Sequence, residues 1–323
     1  MEKRSLPFSL DIEVKTYHNK SFPLGIIKPN IKNYDIWLCN KLINCILRAN
    51  GTLDSIDDDI WSAKDGLTFM QHFFIKPSLL GAEGLDLICY NKSMLREGCY
   101  ITGGYDEFYI PGKHAYKNFH YNHDYVIFGY NEKNRTFQSA AYMMDETYKF
   151  FDISYDDYLD AVIKNDGMKT SVNYYVINSE YEAKINILHI KKKLEDYLFS
   201  CHNKNFEPRP EIFGLNAWVA FANNILQLEY KADLRSSRCY MEHHKLMFER
   251  IKILTELGHI SDLNILNEYY EIYQKSIIVH NLFLKYNLSL NKDVLRRISD
   301  IIKNITVIEK EIMQHLVNSI QGV

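Results

Sequence analysis

The spacing of apolar residues changes partway along the chain. Up to about residue 165 the apolar stretches are short and of strand length. Asp124–Tyr130 is a continuous apolar run, and a short polar loop separates it from Thr136–Tyr142, which predicts a β-hairpin. Gly98–Gly103 and Tyr105–Ile110 also have the pattern of extended segments. This part of the chain is therefore predicted to be mixed α and β.

After about residue 170 the apolar residues recur at the spacing of an α-helix. The clearest case has apolar residues at three- and four-residue intervals from Val294 to Leu316. Similar spacing runs through 187–198 and 266–284, and Gly214–Glu229 predicts another helix. The second half is therefore predicted to be a helical bundle. We expect a fold of class α+β with two domains, 1–168 and 169–323.

One helix is predicted early in the first half, and it begins near Cys39. Asn50-Gly51 is typical of a helix C-terminus. Apolar residues share one face of the intervening helix: Leu38, Leu42, Cys45, Ile46 and Ala49.

Length and composition exclude several classes of protein. The chain has 323 residues, 46% of them hydrophobic, so it can bury at least one sizeable core. It has 38 basic and 41 acidic residues, without the basic surplus of a nucleic-acid-binding protein. No apolar run reaches the length of a membrane span, and the N-terminus lacks the apolar stretch of a signal peptide, so we expect a cytoplasmic protein. The six cysteines form no CxxC pair, which argues against a zinc ribbon.

Cys39 and His123 are the candidate catalytic pair. A thiol becomes a good nucleophile when a helix N-terminus or a nearby imidazole favours the thiolate. Cys39 lies in the first turn of the predicted helix, whereas Cys45 lies inside it. His123 stands directly before an apolar strand that could hold its ring. Each residue also has a structural interpretation, as a buried core thiol and as a hydrogen-bonded histidine at a strand end.

These residues resemble a known family. The segments 39–51 and 123–131 are similar to the papain-like fold of the double-glycine leader peptidases. They are more similar to the non-proteolytic relatives of those peptidases, the butirosin-type aminoglycoside acyltransferases and associated proteins of nonribosomal peptide clusters. Gly104–Pro111 resembles the segment before the histidine strand in that group. Segments similar to its helical C-terminal region follow at Phe213–Asn216, Tyr240–His243 and Asn281–Tyr286.

The resemblance implies a papain-like catalytic domain followed by a helical domain that binds the acceptor. Cys39 would be the nucleophile and His123 the base. Papain-like enzymes carry a side-chain amide about six residues before the cysteine, which stabilises the oxyanion, and Asn33 occupies that position unless it is a plain loop residue. The Asp or Asn that follows the histidine strand in the family is missing here. Either the pair acts alone, or Ser139 or Asp145 orients the imidazole.

The implied function is thiol-dependent acyl transfer in natural-product biosynthesis. Cys39 would take an acyl group from the thioester of an acyl or peptidyl carrier protein, and His123 would help a small-molecule amine attack the acyl-enzyme. Asp106 is the candidate for holding the amine. Aminolysis of a thioester needs no ATP, which agrees with the absence of a GxxxxGK[ST] loop, and no cofactor is expected. The alternatives are a cysteine peptidase of the same fold and a non-catalytic binding or resistance protein.

Three further groups of residues invite interpretation as ligand sites. His120 and His123 could form a metal pair, but their spacing lacks the helical geometry that makes such a pair useful, and no metal is expected. His243-His244 is better interpreted as a solvated helix face, and 57–59 as an acidic polar loop.

Overall fold

The computed structural model describes residues 2–56, 69–77, 86–165, 171–201 and 211–320. These residues form helices and strands of an α+β protein, as predicted. The chain divides into two compact units, the first with residues 1–32 and 61–182 and the second with 33–60 and 183–323. The division differs from the predicted one because segment 33–60 belongs to the second unit. The predicted boundary at 168–169, like the acidic run 57–59, lies outside the described residues.

The first unit is built on a seven-stranded antiparallel sheet in the order β4-β9-β5-β6-β7-β8, with β1 beside β6. The predicted hairpin is confirmed, since β6 and β7 pair directly. The apolar run of β6 is buried from residue 125 to residue 130, which explains its uninterrupted hydrophobicity. The strands are β1 (Lys3–Ser5), β4 (Met70–Ile75), β5 (Tyr100–Asp106), β6 (Asn122–Asn131), β7 (Thr136–Tyr142), β8 (Tyr148–Ser154) and β9 (Val172–Ile177). The helices of this unit are α1 (His18–Ile27), α3 (Leu87–Arg96) and α4 (Tyr155–Ile163).

The second unit is mainly helical, as the period after residue 170 predicts. Its last three helices each begin after a side chain that accepts a hydrogen bond from the first turn: Asp233, Asp262 and Asn291. Its helices are α2 (Tyr34–Cys39), α5 (Ile187–Leu198), α6 (Gly214–Asn224), α7 (Leu234–Glu256), α8 (Leu263–Ser289) and α9 (Lys292–Ser319). A small sheet in the order β10-β2-β3 completes the unit, with β2 (Asn44–Leu47), β3 (Leu53–Ile56) and β10 (Ile212–Phe213). No helix within the described ranges is long and apolar enough to cross a lipid bilayer.

The predicted helix beginning near Cys39 is wrong. Helix α2 ends at Cys39, Leu42 adopts a positive φ of 55°, and the chain continues as strand β2, all four residues of which are buried. Asn50-Gly51 forms the turn between β2 and β3 and does not end a helix. Gly51 has a φ of 81°, and its N–H donates to the carbonyl of Arg48. The pairing of β2 with both neighbouring strands binds this segment to the second unit.

Candidate acid–base site

The end of β5 and the start of β6 bring an acid and a histidine together in the first unit. Antiparallel pairing sets Tyr105 opposite His123. The next residue, Asp106, accepts a hydrogen bond from the backbone N–H of Phe108 and so caps a short 3-10 turn, Glu107–Tyr109. Glu107 therefore lies just beyond the strand, close to His123.

Glu107 orients the His123 ring. Its Oε1 lies 2.8 Å from His123 Nδ1, and its side chain is only 7% exposed. The backbone N–H of Glu107 also donates to the carbonyl of Tyr121, which fixes the turn. Because a carboxylate only accepts, His123 Nδ1 carries a proton, and in the neutral ring the lone pair is on Nε2. The His123 side chain is 36% exposed, so a substrate can reach it.

Lys113 holds Glu107 in its charged form. Lys113 Nζ lies 3.4 Å from the same Oε1 and donates to the carbonyl of Tyr142, and its side chain is 2% exposed. Burial alone would raise the pKa of Glu107, but the hydrogen bond from His123 and the charge of Lys113 outweigh it and lower that pKa below its ordinary value. Burial lowers the pKa of Lys113, and the charge of Glu107 offsets part of that effect. Glu107 is therefore anionic at neutral pH.

A second imidazole lies against His123. His18 is the first residue of α1, and its ring stacks on that of His123 with centroids 4.5 Å apart. On its other sides are the rings of Phe22 at 4.5 Å and Tyr142 at 6.2 Å. His18 is 6% exposed, and burial lowers its pKa well below the ordinary value, with smaller contributions from the charges of His123 and Lys113. His18 is therefore neutral at pH 7.

The lowered pKa of His18 predicts a loss of stability in mild acid. An unfolded histidine titrates near its ordinary value of 6.5, so below that pH the unfolded state binds a proton that the folded state does not. The contribution of His18 to the free energy of unfolding is fully present above about pH 6.5. It falls by about 1.4 kcal/mol for each pH unit below that value. We expect urea unfolding of the first unit between pH 7 and pH 5 to show this slope, and the His18→Phe variant to lose it. Equal slopes in both proteins would contradict the assignment.

Asp106, the predicted amine-binding residue, accepts hydrogen bonds from within the protein. Its Oδ1 accepts from the backbone N–H groups of Phe108 and Tyr121, and its Oδ2 lies 2.5 Å from Nδ1 of His120. Although burial opposes the charge, these hydrogen bonds lower the pKa of Asp106 below its ordinary value. Asp106 thus shapes the turn and orients His120, and its oxygens are occupied within the protein.

The predicted position of Cys39 at a helix start is wrong. Cys39 is the last residue of α2, where the helix dipole disfavours an anion, and it is 3% exposed. Burial raises the pKa of its thiol to about 11, and the charge of Arg250 offsets only part of this. Cys39 belongs to the second unit and His123 to the first.

Thiol labelling should show that Cys39 is unreactive. At pH 7 a thiol with a pKa of about 11 is ionised in about one molecule in ten thousand. With substoichiometric iodoacetamide, peptide mass spectrometry should find the label on exposed Cys201 before it finds it on Cys39. Faster labelling of Cys39 would contradict its placement in the core.

Ser139 and Asp145 make hydrogen bonds to other residues, and Asn33 belongs to the second unit. Asn33 is the N-cap residue of α2, at the opposite end of that helix from Cys39 and about 9 Å from it along the axis. Ser139 is buried on β7, and its hydroxyl donates to the carbonyl of Val126 at 2.6 Å. Asp145 is exposed in the turn between β7 and β8, where it accepts from Thr147 and Lys149. The orienting acid is Glu107.

The second unit contains a buried polar cluster around Glu309. Tyr197 and Tyr269 donate to its Oε1 at 2.8 and 2.6 Å, and His244 Nε2 lies 3.3 Å from its Oε2. The predicted solvated face at His243-His244 is wrong, because both side chains are buried in the core. Two hydroxyl donors and an imidazole around one carboxylate explain how the core accommodates it.

Sequence reasoning missed Glu107, Lys113 and His18. The sequence offered one signal for Glu107, because this residue directly follows Asp106, the acidic candidate before the histidine strand. Lys113 follows Pro111-Gly112, and such turn lysines are usually solvated. His18 is the first residue of a helix whose N-cap, Tyr17, makes no side-chain capping bond, so no start signal marks it.

No protein-family model matches the chain, and no curated protein matches its sequence. In the described parts of the chain, no group of three or more His, Cys, Asp or Glu side chains is arranged to hold a metal ion.

Proposed function

We propose that the chain is an acyltransferase in which His123 is the general base. The supporting observation is the 2.8 Å hydrogen bond between His123 Nδ1 and buried Glu107. This bond leaves Nε2 as the basic nitrogen of a partly exposed ring. A carboxylate that fixes the tautomer and stabilises the imidazolium is the standard support for a histidine base.

The proposed reaction is direct aminolysis of a thioester. The amine attacks the thioester carbonyl while His123 Nε2 takes a proton from the amine nitrogen. The carbon–sulfur bond then breaks, and the imidazolium returns the proton to the departing thiolate. The products are an amide and a free thiol. Proton and leaving group are both accounted for, and no ATP or cofactor is consumed.

The substrate class comes from the sequence resemblance. That resemblance suggests a papain-like fold, the thioester of an acyl or peptidyl carrier protein as donor and a small-molecule amine as acceptor. The proposed reaction differs from the one that the resemblance implies at one step, because no acyl-enzyme forms on Cys39. The low thiolate content of Cys39 and its position at a helix C-terminus support this departure.

Binding without turnover is a second candidate function, favoured by one observation. The helix that starts against the His123 ring is α1, and its first residue is His18. A papain-like enzyme would carry its cysteine at such a helix start. An imidazole in that place is compatible with a scaffold that retains a ligand site and has lost covalent catalysis.

The products formed from a carrier mimic distinguish these functions. The protein is incubated with an acyl thioester of N-acetylcysteamine and propylamine, and the products are separated by liquid chromatography and mass spectrometry. The proposal predicts the propylamide and one equivalent of released thiol, at a rate proportional to the protein concentration. Carboxylic acid without amide would indicate a hydrolase, and unchanged thioester would favour the binding protein.

A further inference from the structure

One ring nitrogen of His18 has no hydrogen-bond donor in the described part of the chain. The ring is hydrogen-bonded to the backbone carbonyl of Asp124. His18 Nδ1 is buried and has no partner among the described residues, so the nitrogen that donates to this carbonyl is Nε2. In the neutral ring the proton is therefore on Nε2, and Nδ1 carries a buried lone pair.

The aromatic neighbours of His18 do not supply that donor. The rings of Phe22 and Tyr142 stack on it, and His123, the third neighbour, is oriented by Glu107 so that it also presents a lone pair. Two imidazoles stacked with centroids 4.5 Å apart thus each carry one acceptor in the neutral ring, His18 Nδ1 and His123 Nε2. An unpaired buried acceptor is costly, so a ligand that fills it gains affinity.

We propose that His18 determines acceptor specificity: Nδ1 accepts one N–H of the attacking amine while His123 Nε2 accepts the other. This inference rests on the proposed function and goes beyond it, because it identifies the acceptor as a primary amine. An attacking primary amine has two N–H groups and satisfies both lone pairs. A secondary amine or an alcohol has one donor and leaves one lone pair unpaired. Water has two donors but is a weaker nucleophile than an amine.

The kinetic test compares amines of similar basicity that differ in donor number. The wild-type protein should prefer propylamine to N-methylpropylamine, and the His18→Phe variant, which keeps the stacked ring and removes the acceptor, should lose about tenfold or more of kcat/KM for propylamine. The loss should fall mainly on KM for the amine and remove the preference. The His18→Asn variant places an amide oxygen near the position of Nδ1 and should restore much of it. An unchanged preference in His18→Phe would overturn the inference.

A binding measurement separates this inference from the proposed function. In wild-type protein labelled with ¹⁵N-histidine, propylamine should move the Nδ1 resonance of His18, and propanol should move it less. A shift without any amide product would support the amine site and contradict the acyltransferase. Amide formation with the His18 resonance unmoved would contradict the amine site and leave the acyltransferase intact.

Discussion

Replacing His123 by alanine is expected to lower kcat/KM for amide formation by about 10²- to 10⁴-fold. This range is the usual contribution of a positioned general base. The protein should remain folded, because the His123 side chain is 36% exposed and lies at the start of β6. The rate of thiol release from the thioester mimic, measured with and without amine, gives the loss directly.

Cys39→Ala is the matched control for this prediction. It removes a small buried side chain from the other unit and should keep the wild-type rate. A rate that survives in His123→Ala and disappears in Cys39→Ala would reverse the assignment and restore the covalent mechanism suggested by the resemblance.

Glu107→Gln is expected to cost nearly as much activity as the loss of His123. A glutamine amide has the size of the carboxylate, but it can donate to Nδ1 and thereby favour the tautomer in which Nε2 carries the proton and is no longer basic. We expect a fall of about 10²- to 10⁴-fold in kcat, with KM for the thioester little changed. The charge of buried Lys113 would also lose its partner, so some loss of stability should accompany the change.

Two comparisons separate chemistry from folding in Glu107→Gln. Adding Lys113→Met to Glu107→Gln removes the unpaired buried charge and should recover stability without recovering activity. Glu146→Gln, at an exposed position, should affect neither property. Recovered activity in the double variant would show that Glu107 acts through stability alone.

The spacing of apolar residues correctly predicts the elements that bury one face along their whole length. The hairpin of β6 and β7 and the long helix α9 bury the residues that their periodicity selects, among them Ile298, Ile305 and Ile312. The segment after Cys39 has a helical pattern in the sequence because a fully buried strand of four residues is too short to show a period of its own. Asn50-Gly51 fits a helix stop and a hairpin turn equally well, and the pairing of β2 with β3 decides between them.

The candidate site depends on contacts between residues that are far apart in the sequence, and no local sequence pattern reveals such contacts. His123 was found because it directly precedes an apolar strand. Its orienting acid lies 16 residues away, and the register of β5 against β6 brings the two together. His18 is more than 100 residues from His123, and only the packing of α1 on the sheet makes them neighbours. The pairing of Cys39 with His123 rests on the resemblance, and Cys39 lies at the end of a helix rather than at its start.

In the proposed mechanism the acyl group passes to the amine without forming an acyl-enzyme. Intact-protein mass spectrometry of a reaction quenched in the first turnover, with a thioester mimic and no amine, tests it most directly. We expect an unmodified mass for the wild-type protein, and amide formation as soon as propylamine is added. A mass increase equal to the acyl group that disappears in Cys39→Ala would contradict it.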